Sequence, residues 1–154
     1  MSIRDRLEGK KRRRCVVPVP VEDATTARQR VEDLSVKAAA LPPDGDDPDG
    51  LRVQMQAARD ALAGCVVDVT LAAPPAAQVE ALVGANLDGD GMPDYRAVLP
   101  ELLAMCAEEE DLQDAGWWKG QLERPEWAPG DVSGLLLGVL YLVADGPRPL
   151  LPKG

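Results

Sequence analysis

The chain contains no histidine and no phenylalanine, and aromatic residues make up only 3% of its 154 positions. Without histidine there is no Ser–His–Asp triad, no imidazole base and no imidazole metal ligand. The three cysteines, Cys15, Cys65 and Cys106, are far apart and form no CxxC pair. That spacing removes zinc knuckles and thioredoxin-like redox sites, and the odd count reads as reduced thiols. The longest apolar run, VSGLLLGVLYLVA at 132–144, falls short of the ~20 residues that a spanning helix needs. The basic N-terminal residues lead into no apolar segment, so no signal peptide is expected there. The glycine-containing stretch GANLDGDG lacks the Lys and Ser/Thr of a phosphate-binding loop.

What remains is a chain with 45% hydrophobic residues, enough for a folded core built from Ala, Val and Leu with three Trp as large anchors. The charge is divided. Residues 1–14 hold seven of the 17 Lys/Arg but only two of the 26 Asp/Glu, so a segment of net +5 precedes a body of net −14. A basic, flexible N-terminal arm is expected. An acidic body with almost no rings for base stacking argues against nucleic acid as the partner.

Two short valine-rich segments, CVVPVP from Cys15 and CVVDVTLA from Cys65, alternate like half-buried strands. Val17, Val19 and Val21 share one face of the first, and Val67, Val69 and Leu71 one face of the second. Pro18 and Pro20 remove amide donors from a single side, so the first strand has a blocked outer edge. Between them, Ala27, Val31, Leu34, Ala38 and Leu41 recur at spacings of 4, 3, 4 and 3, as do Leu51, Met55, Ala58, Leu62 and Cys65. These are narrow apolar seams of the coiled-coil type, separated by the turn-rich PPDGDDPDG. The spacing predicts a helical hairpin whose ends feed an antiparallel ribbon, with Cys15 and Cys65 at its opposite ends. The second half reads as helices. Pro75 suits a first turn, Pro100 resets or kinks a helix running from Tyr95 to Cys106, and Asp114 and Asp131 stand where caps belong.

The fold class is therefore mainly α with a small two-stranded antiparallel β-ribbon, a helical hairpin inserted between the strands, and a C-terminal helical bundle. The expected divisions are a flexible arm (1–14), ribbon and hairpin (15–73), a helical domain (74–146) and a tail (147–154).

ANLDGDGMPDY at 85–95 places Asn86, Asp88, Asp90, Gly91 and Asp94 as a calcium loop would. Such a loop closes with a bidentate Glu at its twelfth position, and here that position is Ala97. The expectation is a polar turn with Asp94 as a helix cap, and no metal or other cofactor. The acidic run EEED at 108–111 marks a helix end, and Cys106 lies on an apolar face with no identifiable base. Nothing here assembles an enzyme.

The last helix is apolar on more than one side. Val132, Leu135, Leu136, Val139, Leu140 and Val143 form one face, with Leu137, Tyr141 and Leu142 beyond it and a notch at Gly134 and Gly138. A helix of this kind is central to its own core or shared with a partner. The candidate partner-binding residues are Leu137, Tyr141 and Leu142, with Trp117 and Trp118. The order of motifs over roughly residues 60–145 resembles the tail assembly chaperones of long-tailed phages of actinobacteria. The matching residues are Leu71, Pro74, Pro75, Leu82, Tyr95, Leu99, Leu102, Leu103, Cys106, Trp117, Asp131, Val132, Leu135 and Leu140. The sequence departs from that pattern in lacking an Asn after the last helix and aromatic residues after Pro75. The resemblance implies a non-enzymatic morphogenesis protein that binds the tape measure protein in the cytoplasm of the infected bacterial host. Self-association stays open, and a membrane partner is not expected. A structural virion or connector protein is the alternative.

Overall fold

The computed structural model describes residues 1–42, 45, 47 and 50–144. Most of the PPDGDDPDG linker, residues 145 and 146, and the expected tail (147–154) lie outside the described residues. The elements in order are α1 (Ile3–Glu8), β1 (Arg14–Pro20), α2 (Thr25–Ala39), α3 (Leu51–Gly64), β2 (Val66–Ala72), α4 (Ala76–Gly84), α5 (Leu99–Cys106), α6 (Ala115–Leu122) and α7 (Pro129–Val143), with a 3-10 turn at Glu110–Leu112. Among the described residues the helices dominate, and the two strands form one antiparallel sheet with the helical hairpin α2–α3 inserted between them.

The chain divides into two compact units, Pro18–Asp68 and Met1–Val17 with Val69–Gly154. The division falls within the strands, since β1 and β2 each contribute residues to both units.

In the hairpin unit, Leu34, Leu51, Met55 and Ala58 are buried, and Val31, Ala38 and Leu41 pack against them. These are residues of the two seams, and their spacing alone brings the helices together. Both helices start where carboxylates meet free amides. Asp47 accepts from the N–H groups of Leu51 at 2.7 Å and Arg52 at 2.9 Å, and Asp23 accepts from Thr25 N–H at 3.0 Å. The Arg52 and Leu51 amides hold the Asp47 carboxyl below its usual range, and the Thr25 hydroxyl, donating at 2.7 Å, with the Thr25 amide does the same for Asp23.

The ribbon register is fixed at both ends. Val21 N–H donates to the Cys65 carbonyl at 2.8 Å, and Ala73 N–H donates to the Arg13 carbonyl at 2.9 Å. Amides two residues apart point the same way, so Val17, Val19 and Val21 face the partner strand while Pro18 and Pro20 face outward. Val17, Val19, Val69 and Leu71 are buried as the alternation requires, whereas Val21 and Val67 are exposed. Cys15 and Cys65 stand at opposite ends of the ribbon, and all three cysteines are free. The far side of β2 is partly taken by the chain that leaves α5. Leu71 bridges Ala107, and Glu108 N–H donates to the Thr70 carbonyl at 3.2 Å.

The larger unit is built around α5, which packs on α6 and α7. Leu71, Leu99, Leu102, Leu103, Cys106, Trp118, Leu135 and Val139 are fully buried in it. Residues Tyr95–Val98 are a turn and not the first part of a helix, and Pro100 sits in the first turn of α5. Asp94 accepts from Ala97 N–H at 3.1 Å and thus closes that turn instead of capping α5. Asp114 does cap α6, through Trp117 N–H at 3.0 Å. Asp131 is not the cap of α7. It lies inside the first turn and accepts from Ala128 N–H at 3.0 Å.

The notch on α7 is filled by β1. A methyl group added at Gly138 would lie 2.5 Å from Val17 Cγ2 and 3.5 Å from Cys15 Sγ and Leu71 Cδ1, whereas one at Gly134 would meet only Val17 Cγ1 at 3.9 Å. Helix propensity favours Ala over Gly by about 1 kcal/mol at either position, and overpacking a core costs about 1–3 kcal/mol. Gly134→Ala should therefore raise the stability measured by urea unfolding, and Gly138→Ala should lower it. Val17→Ala in the Gly138→Ala background should recover part of the loss.

Candidate functional site

α7 runs from Pro129 to Val143 with Leu135 and Val139 at 0% exposure, and its orientation decides which of its apolar residues remain outside. Leu137 is 67% exposed and Tyr141 44% exposed. They are four residues apart, so they share a face one turn apart. The Arg13 guanidinium lies 4.2 Å over the Tyr141 ring centroid and covers one side of it. Leu142 is only 6% exposed, a correction to its expected role as an outward contact. Its helical position lies between the notch and the Leu135–Val139 face, and both of these are turned inward.

The tryptophans divide in the same way. Trp117 is 41% exposed, but Trp118 is 1% exposed and donates its indole N–H to the Leu112 carbonyl at 2.7 Å. Trp118 is thus a core anchor, with Trp117 and Trp127 edge-on to it at centroid distances of 5.0 and 6.4 Å. Its bond to Leu112 explains the tight turn after the acidic run, since a buried indole N–H needs an acceptor. Of the five expected contact residues, Leu137, Tyr141 and Trp117 are accessible.

Within residues 1–14, Ile3–Glu8 forms an exposed helix, and only Arg12, Arg13 and Arg14 bond to other parts of the chain. Ser2 and Asp5 cap α1 reciprocally, with Asp5 N–H to Ser2 Oγ at 3.1 Å and Ser2 N–H to Asp5 Oδ2 at 2.9 Å. Arg12 Nε donates to the Ala73 carbonyl at 3.0 Å, and Arg14 pairs with Glu108. The hint in the sequence was the direct run of RRR into the first strand, which ties the basic residues to the ribbon register.

The calcium-like loop is a self-contained turn. The Asp88 carboxylate accepts from the N–H groups of Asp90 and Met92, each at 2.9 Å, and Asn86 donates to the Leu82 carbonyl at 2.8 Å. Gly91 takes φ 76°, the left-handed conformation that favours glycine, and Leu87 bridges Pro93 across the turn. Among the described residues no three His, Cys, Asp or Glu side chains converge as a metal site would require. Also among them, no helix is long and apolar enough to cross a membrane.

The chain matches no family model, no curated protein and no solved structure.

Two measurements follow from these sites. Calorimetric titration with calcium should give no micromolar heat, because Asp88 already serves two amides and position 97 carries no carboxylate. A micromolar site lost in Asp88→Ala would contradict this. The second concerns Cys106, whose thiol burial raises from 9.0 to about 11, with Cys15 acting in the same direction and Arg12 against. A thiol with a raised folded-state pKa favours folding below about pH 9 and loses that contribution as pH climbs towards 11. Burial pushes Cys15 in the same direction. Melting temperature should fall between pH 9 and 11, and the fall should be shallower in Cys106→Ala, which starts lower because it leaves a cavity.

Proposed function

We propose that this chain is a non-enzymatic phage morphogenesis protein, a tail assembly chaperone that binds the tape measure protein in the cytoplasm of the infected host. The observation that carries this reading is the exposed pair Leu137 and Tyr141 on a helix whose Leu135, Val139 and Leu142 are buried. An apolar pair one turn apart on a rigid helix can grip the apolar stripe of another helix. The motif order over residues 60–145 supports the choice of partner. The absence of histidine and the lack of a convergent acid–base pair in the sequence support a binding role over catalysis.

The connector reading has its own support. Val36 and Val53 of the hairpin unit are 73% and 75% exposed, so that unit also offers apolar surface to a neighbour. Comparison of purified virions with infected lysate separates the two, since a chaperone is absent from the finished particle and a connector is retained.

Leu137→Asp is the direct test of the contact surface. At a position 67% exposed it should change the circular dichroism melt little, by about 0.5 kcal/mol or less in stability, while abolishing capture of the tape measure protein. Leu142→Asp should unfold the domain, because burying a charge costs several kcal/mol. A folded Leu137→Asp protein that still binds would move the partner site to the hairpin.

A further inference from the structure

The four consecutive cations Lys10, Lys11, Arg12 and Arg13 rim a groove of about 570 Å³ whose floor is Ala73, Pro74, Pro75 and Leu142. We infer that this groove binds a short acidic segment of a partner protein, with its carboxylates on the rim and an aliphatic side chain on the proline floor.

The groove is held in shape before any ligand arrives. Ala73 N–H donates to the Arg13 carbonyl at 2.9 Å, and Arg12 Nε returns a bond to the Ala73 carbonyl at 3.0 Å. Arg13 is anchored over Tyr141, and Arg14, just beyond the rim, is paired with Glu108. Pro74 and Pro75 fix two backbone φ angles in the floor. A site organised in this way gives up little conformational entropy on binding.

The charge pattern identifies the ligand. In a chain of net charge −9, the run Lys10–Arg13 is the densest concentration of positive charge. Lys10 and Lys11 are exposed and make no ion pair among the described residues. Unlike the arginines, their ammonium groups are left for carboxylates from outside. The floor below them is aliphatic, and Leu142, 6% exposed, forms part of it. This matches a peptide that alternates acid and aliphatic residues. A nucleic acid fits less well, because no aromatic ring lines the groove to stack a base and the rest of the chain is acidic. The chain's own residues 145–154 have the wrong charge for it, with Arg148 and Lys153 against a single Asp145. The inference stands apart from the α7 contact and from the identity of the partner proposed above.

The test is to pan a displayed random dodecapeptide library against the full chain and, in parallel, against Lys10→Glu/Lys11→Glu. Both lysines are exposed, so the variant should fold, and circular dichroism checks that it does. Selected peptides should be enriched in Asp and Glu flanking Leu, Ile or Val. A synthesised peptide from that set should bind the variant at least ~10-fold more weakly, and bind the parent more weakly as salt is raised. Lys10→Gln/Lys11→Gln, which removes the charge without reversing it, should show an intermediate loss. The inference is overturned if the selected peptides are not acidic, if they bind the Glu variant as well as the parent, or if a single-stranded oligonucleotide binds the groove more tightly than the peptides.

Discussion

The contact between Gly138 and Val17 is the constraint on which the larger unit depends. Only a hydrogen at Gly138 lets α7 come down on the ribbon, with Cys15, Val17 and Leu71 beneath it. That approach fixes the roll of the helix about its own axis. Leu135 and Val139 then point into the core made by α5, Leu142 turns towards the 73–75 corner, and Leu137 and Tyr141 are left outside. The same approach places Arg13 over Tyr141, so the basic segment and the last helix hold each other.

The hairpin was the part most legible in the sequence. A spacing of 4, 3, 4, 3 on two adjacent segments specifies a seam on each, and Leu34, Leu51, Met55 and Ala58 are buried along it. The ribbon was legible too, because alternation and the two prolines give strand, face and blocked side together. The turn at 86–94 was legible from its Asn, Asp and Gly, which satisfy backbone amides locally. What failed was the choice between adjacent residues of equal apolarity. Trp117 and Trp118 are identical in side chain, and it is Trp118 that is buried and donates to the Leu112 carbonyl. Leu137 and Leu142 differ in the same way, since a helix apolar on several sides does not say which side meets the core.

The attachment of Arg12, Arg13 and Arg14 was not legible, for a different reason. A count of charges predicts a solvated arm, but the Arg12 side chain and the Arg13 carbonyl both bond to the backbone of Ala73, about sixty residues away. Non-local pairing of that kind leaves no periodic trace. The candidate surface was therefore only half visible beforehand: Leu137, Tyr141 and Trp117 could be named from hydrophobicity, whereas the groove beside them exists only once the strand register is known.

The two prolines of β1 also bear on colloidal behaviour. A two-stranded ribbon with bare flanks is a seed to which further copies can add, the first step towards cross-β fibres. Here one flank has no amide to offer at positions 18 and 20, and Glu108 occupies the other beside Thr70. Both flanks of the ribbon therefore offer fewer backbone partners to a further strand than a bare edge would.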